Sequence, residues 1–425
     1  MAIYRIRHCE RLSGEVWIHS AKNAVLPLMC AGLLTREPIT IENVPGLTDV
    51  ETLLDILAEC GVHVQRDGQS ITLWSEVPCS PTSENLLSHM RASVLVMGPL
   101  LARTGYARVA LPGGCAIGQR PIDLHIKGLE ALGAQAQLTS GAVTLQGKLR
   151  GGSVYLDFPS VGATENILLA SVLADGHTRI ENAAKEPEII DLCMFLRQMG
   201  AEIEGVGTGT LYIKGHRQLH GCVYRPIPDR IEAGTILCAA AMTDGSVLLR
   251  NVCPEHMRAV LFKLKEAGVT LRESSAGLRI SGRAIHPFQV RTLAYPGFPT
   301  DMQPQISTAL CLAGGTSSIT EGVYDNRFRY VAELRRMGAQ GQVDGKVCVI
   351  EGTDGLVGAP VKACDLRAGA AMVIAGLAAQ GTTVVEEVHH IERGYENIIE
   401  KLRGLGADIS RIEVPEPTPV GAVAG

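Results

Sequence analysis

One short pattern recurs six times along the 425-residue chain and limits how it can fold. A leucine lies four positions before a glycine, and a short segment of alternating apolar and polar residues follows the glycine. The six glycines are 67 to 72 residues apart; they are Gly61, Gly133, Gly200, Gly268, Gly338 and Gly406. A glycine just past a helical pattern is typical of a left-handed helix cap. The spacing predicts six structural units of nearly equal length.

Each unit has the same predicted content: strand, helix, strand, helix, strand, strand. The first helix is apolar on almost every face, as in VGATENILLASVLA, which is typical of a helix buried inside a domain. The second helix is amphipathic, as in residues 51–59 and 395–403. Buried helices need a common centre, so the sequence predicts an α/β fold of the α+β type, with helices inside and sheets with amphipathic helices outside.

Six units form most simply two domains of three units. We expect a first domain of residues 22–229 and a discontinuous second domain of residues 1–21 and 230–425. The chain passes between them near residues 224–230, where Pro226 and Pro228 suit a linker. The opening segment and the closing strand near 408–413 are predicted to pair in one sheet of the second domain.

Composition excludes several classes of function. The net charge is −5 and aromatic residues make up 4%, which argues against a nucleic-acid-binding surface. The longest apolar runs, 24–34 and 92–102, are shorter than the roughly 18 residues of a membrane span. The N-terminus shows no secretory signal, so we expect a cytoplasmic protein without membrane insertion. The 12 cysteines include no CxxC pair, which favours reduced thiols over a metal site.

Charged residues occupy equivalent positions of several units and are therefore expected to face one shared cleft between the domains. Those at the starts of the buried helices are Lys22, Arg91, Arg230, Asp301 and Arg367, and those in the second loops are Arg120, Arg327 and Arg393. A cation at a helix N-terminus opposes the helix dipole, so its recurrence is better explained by an anionic ligand than by stability. The alternative for any single residue is a solvated surface charge.

The loop of residues 111–121, LPGGCAIGQRP, places Cys115 among three glycines, whereas most of the other cysteines lie in apolar surroundings. A glycine-rich backbone can carry a thiol over a cleft. No histidine is adjacent in sequence, so Cys115 is predicted to be an acid, a ligand contact or a nucleophile activated by charge. An incidental turn is the alternative.

Taken together, the motifs resemble one family over residues 12 to about 412. They are SAKNA, MRAS, LPGGCAIGQRPIDLH, SVGAT, ENAAKEPEI, PDRIEAGT, FPTDMQ, DNRF, DLRA and HIERGYE. The resemblance is to the UDP-N-acetylglucosamine 1-carboxyvinyltransferases, the enolpyruvyl transferases of peptidoglycan synthesis. It implies two inside-out α/β-barrel-like domains of three units each, with a ligand cleft between them.

The resemblance also implies a reaction and the residues that perform it. The enolpyruvyl group of phosphoenolpyruvate would pass to the 3′-hydroxyl of UDP-N-acetylglucosamine by addition and elimination, releasing phosphate. Cys115 matches the acid that protonates the methylene group, and Asp301 matches the base for the sugar hydroxyl; Lys22 and Arg393 complete the implied catalytic set. Residues matching the phosphoenolpyruvate contacts are Lys22, Asn23, Arg120, Arg367 and Arg393. Residues matching the sugar-nucleotide contacts are Asn23, Arg91, Arg120, Pro121, Ile122, Asp123, Leu124, Ser160, Val161, Gly162, Asp301, Val323 and Arg327.

From this resemblance we expect a reaction that needs no redox cofactor and no metal. We also expect a monomer or weak homo-oligomer, and inhibition of the enzyme by fosfomycin. Two departures stand out: Phe158-Pro159 replaces an expected lysine-containing segment, and the tail from residue 415 lies outside the resemblance. The alternatives are an enzyme like 5-enolpyruvylshikimate-3-phosphate synthase, which would show a different first-helix motif and no cysteine loop, and a non-catalytic sugar-nucleotide-binding paralogue, which would have lost cleft charges.

Overall fold

A computed structural model describes residues 2–81, 91–110, 122–139, 141–216 and 218–414, with the backbone alone for residues 91 and 92. Within these ranges the strands are β1 (Ala2–Arg7), β2 (Ser13–Trp17), β3 (Ile39–Ile41), β4 (His63–Asp67), β5 (Ser70–Trp74), β6 (Tyr106–Ala110), β7 (Gln135–Thr139), β8 (Ala142–Gln146), β9 (Ser153–Tyr155), β10 (His177–Glu181), β11 (Glu202–Glu204), β12 (Thr210–Lys214), β13 (Cys222–Tyr224), β14 (Ser246–Arg250), β15 (Thr270–Ser274), β16 (Gly277–Ser281), β17 (Gln289–Arg291), β18 (Thr316–Thr320), β19 (Gln340–Asp344), β20 (Val347–Glu351), β21 (Pro360–Lys362), β22 (Thr382–Glu386) and β23 (Ile409–Glu413).

The α-helices of the same ranges are α1 (Lys22–Cys30), α2 (Thr48–Glu59), α3 (Met97–Thr104), α4 (Asp123–Ala131), α5 (Val161–Ser171), α6 (Pro187–Gln198), α7 (Arg230–Met242), α8 (Arg258–Glu266), α9 (Gln303–Leu310), α10 (Tyr330–Arg336), α11 (Leu366–Ala378), α12 (His389–Glu392) and α13 (Ile398–Gly404). Short 3-10 turns cover Ala31–Leu34, Arg91–Val96, Pro254–Met257 and Thr300–Met302. The mixture of strands and helices is the α/β fold that the sequence predicts.

Five of the six sheets in the described ranges share one strand arrangement. In the sheet β9-β10-β12-β11, β9 and β10 are parallel, and the other pairs are antiparallel. The sheets β13-β3-β5-β4, β2-β14-β16-β15, β17-β18-β20-β19 and β21-β22-β1-β23 repeat this order, and β6-β8-β7 contains only its antiparallel pairs. The predicted pairing of the two ends of the chain is confirmed, since β1 lies antiparallel to β23 with Ala2 opposite Glu413.

The inner helices and outer helices differ in burial as the periodicity predicts. Every residue of α7 after Arg230 is buried, and so are Arg367–Leu377 of α11. The outer helix α8 buries only Val260, Leu261 and Leu264. All six recurrent glycines adopt positive φ, between 80° and 105°, two residues after a helix ends. They are the predicted caps that turn each second helix back toward its sheet.

Buried apolar side chains form two separate core clusters. One runs from Val25 to Leu219 and is built around α1, α3 and α5. The other combines Tyr4 to Ile18 with Ile231 to Ile409 and is built around α7, α9 and α11. In the second cluster α7, α9 and α11 pack on one another. In the first cluster α3 packs on α5 and on the 3-10 turn Ala31–Leu34 that continues α1. The sheets lie outside these helices.

The chain crosses between the two clusters twice, and the two crossings lie side by side. The amide of Ala21 donates to the carbonyl of Ile227 (2.8 Å), and the amide of Asp229 donates to the carbonyl of His19 (2.8 Å). A short strand precedes each crossing and stays in the cluster that the chain is leaving. β13 pairs with β3 in the first cluster, and β2 pairs with β14 in the second. None of the described helices is both long and apolar enough to span a bilayer.

Candidate active site

The starts of the inner helices bring together several of the predicted site residues. Lys22 opens α1, Asp301 lies in the 3-10 turn that leads into α9, and Arg367 is the second residue of α11. The start of α11 is fixed by the Asp365 carboxylate, which accepts hydrogen bonds from the amides of Arg367 and Ala368 (2.9 and 3.0 Å).

A buried carboxylate, Asp49, joins Lys22 to Arg393. Lys22 Nζ lies 2.9 Å from Asp49 Oδ2, and Arg393 Nε lies 3.0 Å from Asp49 Oδ1. Lys22 is 9% exposed, and burial lowers its pKa; Asp49 opposes this effect, whereas Arg367 and Arg393 lower the pKa further. Burial alone would raise the pKa of Asp49, but Lys22 and Arg393 outweigh it and lower that pKa. The two cations therefore favour the ionised form of Asp49.

The sequence analysis did not predict Asp49. It lies in the first turn of α2, where an acidic residue is ordinary because it favours the helix dipole. Its place in the charged cluster is visible only from its contacts with two cations, Lys22 at the start of α1 and Arg393 just after α12.

Asp301 forms a second charged cluster with two arginines. Arg367 contacts Asp301 Oδ2 through Nη2 (2.9 Å) and Nε (3.1 Å), and Arg327 Nη2 lies 3.2 Å from Asp301 Oδ1. Both guanidinium groups are buried, at 4% and 2% exposure. Among the described residues, Nη1 of Arg367 and Nε of Arg327 have no hydrogen-bond partner. The cluster thus retains donors that suit an anionic ligand.

Arg230 differs from the other helix-start cations, because Glu188 neutralises it. Its Nε and Nη2 lie 3.0 and 3.3 Å from the two Glu188 oxygens, a bidentate pair between the two core clusters. Glu165 and Glu186 lie in the same region, and burial raises the pKa of both carboxyls. The structure therefore gives Arg230 a role in joining the clusters instead of the anion-binding role that its position suggested.

Two of the segments that are predicted to contact the sugar nucleotide, the starts of α4 and α5, lie close together. Leu124 is in the first turn of α4, next to His125, and Ser160 caps α5 by accepting a hydrogen bond from the amide of Ala163 (3.4 Å). A Cβ added to Gly162 would lie 3.3 Å from Cε1 of His125, so the helix starts touch at this glycine. Asn166 Nδ2 lies 3.0 Å from His125 Nδ1, which links α5 to α4.

The remaining predicted residues are placed as follows. Asn23 is exposed in the first turn of α1; Ile122 and Asp123 precede and begin α4; Val161 begins α5; Val323 follows β18. Phe158, where the sequence departs from the expected motif, is 43% exposed. Cys115, Arg120 and Pro121 lie outside the described residues, and Arg91 is described by its backbone alone.

Within the described ranges, Glu387, His389 and His390 form a surface group whose possible ligand atoms lie within 4.8 Å of one another. Two imidazoles and a carboxylate are a ligand set that transition metals accept. Exposed groups of this kind are common in proteins without a metal, and their proximity alone assigns no ion here.

Comparison with known proteins identifies the family. A family model described as EPSP synthase (3-phosphoshikimate 1-carboxyvinyltransferase) matches residues 6–402. The chain belongs to this family of enolpyruvyl transferases. It is 50% identical over 402 residues to UDP-N-acetylglucosamine 1-carboxyvinyltransferase 1 of Caldanaerobacter subterraneus, covering 94% of this chain and 97% of the relative. It is also 50% identical over 414 residues to the UDP-N-acetylglucosamine 1-carboxyvinyltransferase of Granulibacter bethesdensis, covering 96% and 99%.

Solved enolpyruvyl transferases have the same fold. The enolpyruvyl transferase NikO from Streptomyces tendae matches with a TM-score of 0.87 at 26% identity, over 97% of this chain and 99% of that chain. EPSP synthase from Acinetobacter baumannii matches with a TM-score of 0.74 at 19% identity, over 97% and 100%. The second likeness concerns the fold alone.

Proposed function

We propose that this enolpyruvyl transferase moves the enolpyruvyl group of phosphoenolpyruvate to the 3′-hydroxyl of UDP-N-acetylglucosamine and releases phosphate, the first committed step of peptidoglycan synthesis. The observation that carries the proposal is the 50% identity, over nearly the whole of both chains, to relatives with that name. EPSP synthase-like activity is disfavoured, since the relatives that are 50% identical to this chain carry the name UDP-N-acetylglucosamine 1-carboxyvinyltransferase.

The charged clusters support this choice of donor substrate. Phosphoenolpyruvate carries a phosphate and a carboxylate, and each requires fixed cations with free donors. Lys22, Arg367 and Arg393 supply fixed cations, and Nη1 of Arg367 is a donor without a partner among the described residues. Arg120 is expected to add a fourth cation. Because Lys22 and Arg393 share Asp49, their positions are set before the substrate arrives.

Asp301 is proposed to accept the proton of the sugar hydroxyl. Its carboxylate is held in place by Arg367 and Arg327, and a positioned carboxylate can take up a proton from a substrate hydroxyl. Cys115 is proposed to protonate the methylene carbon, which makes the neighbouring carbon electrophilic.

The direct test is phosphate release from phosphoenolpyruvate with UDP-N-acetylglucosamine as acceptor, with shikimate 3-phosphate as the parallel acceptor. We expect release only with the sugar nucleotide. Release only with shikimate 3-phosphate would support the alternative transferase, and nucleotide binding without release would support the non-catalytic paralogue; either result contradicts the proposal.

We also propose that the two core clusters mark the domains, 22–229 and 1–21 with 230–425. The cluster memberships support these boundaries, since Leu219 is the last residue of one and Ile231 resumes the other. A cytoplasmic location and a monomeric or weakly oligomeric state stay predictions. So does the absence of a cofactor or metal requirement.

A further inference from the structure

A fully buried carboxylate lies beside the site without belonging to either charged cluster. Glu321 follows β18 and is 1% exposed. Its Oε1 accepts hydrogen bonds from Thr292 Oγ1 (2.7 Å) and from the amides of Val323 (2.8 Å) and Tyr324 (3.1 Å). Its Oε2 accepts one from Thr300 Oγ1 (3.0 Å). All four donors are uncharged, and burying a carboxylate is costly unless hydrogen bonds replace its water.

The four donors come from three separate segments of the chain. Thr292 lies just beyond β17, Thr300 lies beside Asp301, and Val323 and Tyr324 belong to the loop after β18. Because β17 and β18 are parallel, with Arg291 opposite Thr320, their ends meet at one edge of the sheet. One carboxylate therefore ties together all three segments at this edge.

A second contact fixes the same loop. The amide of Gly322 donates to Thr292 Oγ1 (2.8 Å), so this hydroxyl bridges Gly322 to Glu321. A Cβ on Gly322 would lie 2.4 Å from the carbonyl oxygen of Thr292, which shows how closely the two backbones approach. The loop conformation is thus determined by Glu321 and Thr292 together.

We propose that Glu321 is a positioning residue for the sugar-nucleotide acceptor: it holds the backbone of residues 322–324 and, through Thr300, the turn that carries Asp301. The inference rests on the proposed function, in which Val323 and Asp301 contact the acceptor. Because Glu321 is buried, its effect would pass through these segments and not through a direct contact with a substrate. Its effect is expected on acceptor binding and on turnover, while the phosphoenolpyruvate contacts at Lys22 and Arg393 are left intact.

The test is the substitution Glu321→Gln, which keeps the shape but removes the charge and turns an acceptor into a donor. Without the charge that holds residues 322–324 and Thr300, the acceptor contacts lose their fixed positions, so the Kd and KM for UDP-N-acetylglucosamine are expected to rise at least about 10-fold. The KM for phosphoenolpyruvate at saturating nucleotide should change less than about twofold, and kcat should fall. Binding is measured by calorimetry without phosphoenolpyruvate, and folding by circular dichroism.

Further variants guard against misfolding and non-specific effects. Thr292→Val removes the bridging hydroxyl and should produce the same split between the two substrates, whereas Thr292→Ser keeps the hydroxyl and should restore acceptor binding. The matched control is Glu351→Gln, since Glu351 accepts from Thr316 Oγ1 (2.8 Å) at the opposite end of β18 and should show no change.

A folded Glu321→Gln protein that binds the nucleotide as tightly as the wild type would overturn the inference, as would equal losses for both substrates. Wild-type protein that binds UDP-N-acetylglucosamine but releases no phosphate would contradict the proposed function alone, because the binding comparison needs no turnover. Wild-type protein that does not bind this nucleotide would contradict both.

Discussion

At the scale of single residues, the site is a set of charges that restrain one another. Asp49 holds Lys22 and Arg393, and Asp301 holds Arg367 and Arg327. Five of these six groups come from positions that the sequence singled out. Cations held in place before the substrate arrives need little reorganisation when charge develops.

The first prediction concerns Arg393→Ala. Removing the guanidinium should reduce kcat/KM for phosphoenolpyruvate by roughly 10- to 100-fold, because a lost charge-assisted hydrogen bond costs about 1.5–3 kcal/mol. Binding of the sugar nucleotide should change much less. Steady-state kinetics with each substrate varied in turn measures the split. Arg7→Ala, which breaks an exposed ion pair with Asp408, is the control; equal losses for both substrates would refute the assignment.

The second prediction separates a proton donor from a covalent nucleophile at Cys115. Cys115→Asp should retain turnover with an optimum at lower pH, because the ordinary pKa of Asp is about 3.9 and that of Cys about 8.5. Cys115→Ser should lose at least about 100-fold, since its hydroxyl is too weak an acid. Fosfomycin, a phosphonate epoxide, should label the wild type and spare the Asp variant in mass spectra. An Asp variant inactive at every pH, or a label on another cysteine, would count against this role.

The third prediction is a pH dependence of folding stability. Burial raises the pKa of Asp191 to about 6, although the Tyr224 hydroxyl and the Ile227 amide lower it. The folded state therefore binds a proton more tightly than the unfolded state, and this group's contribution to stability falls as the pH rises from about 4 to about 6. The Asp191→Asn side chain cannot lose a proton, so this loss of stability is absent from the variant. The difference in the free energy of unfolding, variant minus wild type, should therefore be larger at pH 7 than at pH 4 by roughly 2–3 kcal/mol. Urea denaturation at both pH values provides the comparison, and a relative stability independent of pH would exclude this pKa.

At the scale of elements, the inner helices approach each other so closely that only glycine fits at some contacts. Gly98 of α3 is one such position: its amide donates to Asn166 Oδ1 of α5 (2.6 Å), and an added Cβ would lie 2.3 Å from the carbonyl oxygen of Asn166. A backbone oxygen cannot move aside as a flexible side chain can. Packing therefore outweighs helix propensity at this contact.

The fourth prediction follows from that contact. Glycine to alanine inside a helix usually stabilises by up to about 1 kcal/mol, but Gly98→Ala should destabilise by roughly 1–3 kcal/mol because α3 and α5 must separate. The matched control is Gly404→Ala at the end of α13, where nothing lies within 4 Å of the added Cβ. Thermal and urea unfolding of the two variants should shift in opposite directions; a stabilised Gly98→Ala protein would disprove the packing argument.

Much of the element order could be predicted because each unit repeats its own local signals. The six glycine caps followed from the repeat. The pairing of the opening segment with the closing strand was a separate prediction, and the β1–β23 ladder confirms it. The partners of the buried charges could not be predicted. A glutamate after a strand, such as Glu321, and an aspartate in a first helical turn, such as Asp49, are ordinary in sequence, and only long-range packing brings them to the candidate site.

At the scale of the whole molecule, several contacts among the described residues bridge the two core clusters, including Arg393 with Asp49, Arg230 with Glu188, and Glu396 with the amide of Gly46 (2.9 Å). The two adjacent crossings at Ser20 and Pro228 are the covalent links between the same clusters. Such an arrangement suits closure about a hinge, with the charged clusters on either side.

The fifth prediction is that UDP-N-acetylglucosamine draws the two clusters together. The radius of gyration from X-ray scattering should fall when the nucleotide is added, and protease cleavage should slow, because closure buries segments near the cleft. Phosphoenolpyruvate alone is the control and should have a smaller effect. An unchanged radius and an unchanged cleavage pattern at saturating nucleotide would rule out ligand-driven closure.

The positions of β2 and β13 bear on whether half of such a chain could fold alone. Counted along the chain, each run of three units begins with a strand, β2 before α1 and β13 before α7, that pairs in a sheet of the other run, β2 with β14 and β13 with β3. Neither run therefore completes all its sheets alone. A chain of one such run would complete them only by swapping that strand with a second copy of itself, as in a domain-swapped dimer. In the full chain the paired crossings hold the two runs together, so the exchange takes place within one molecule.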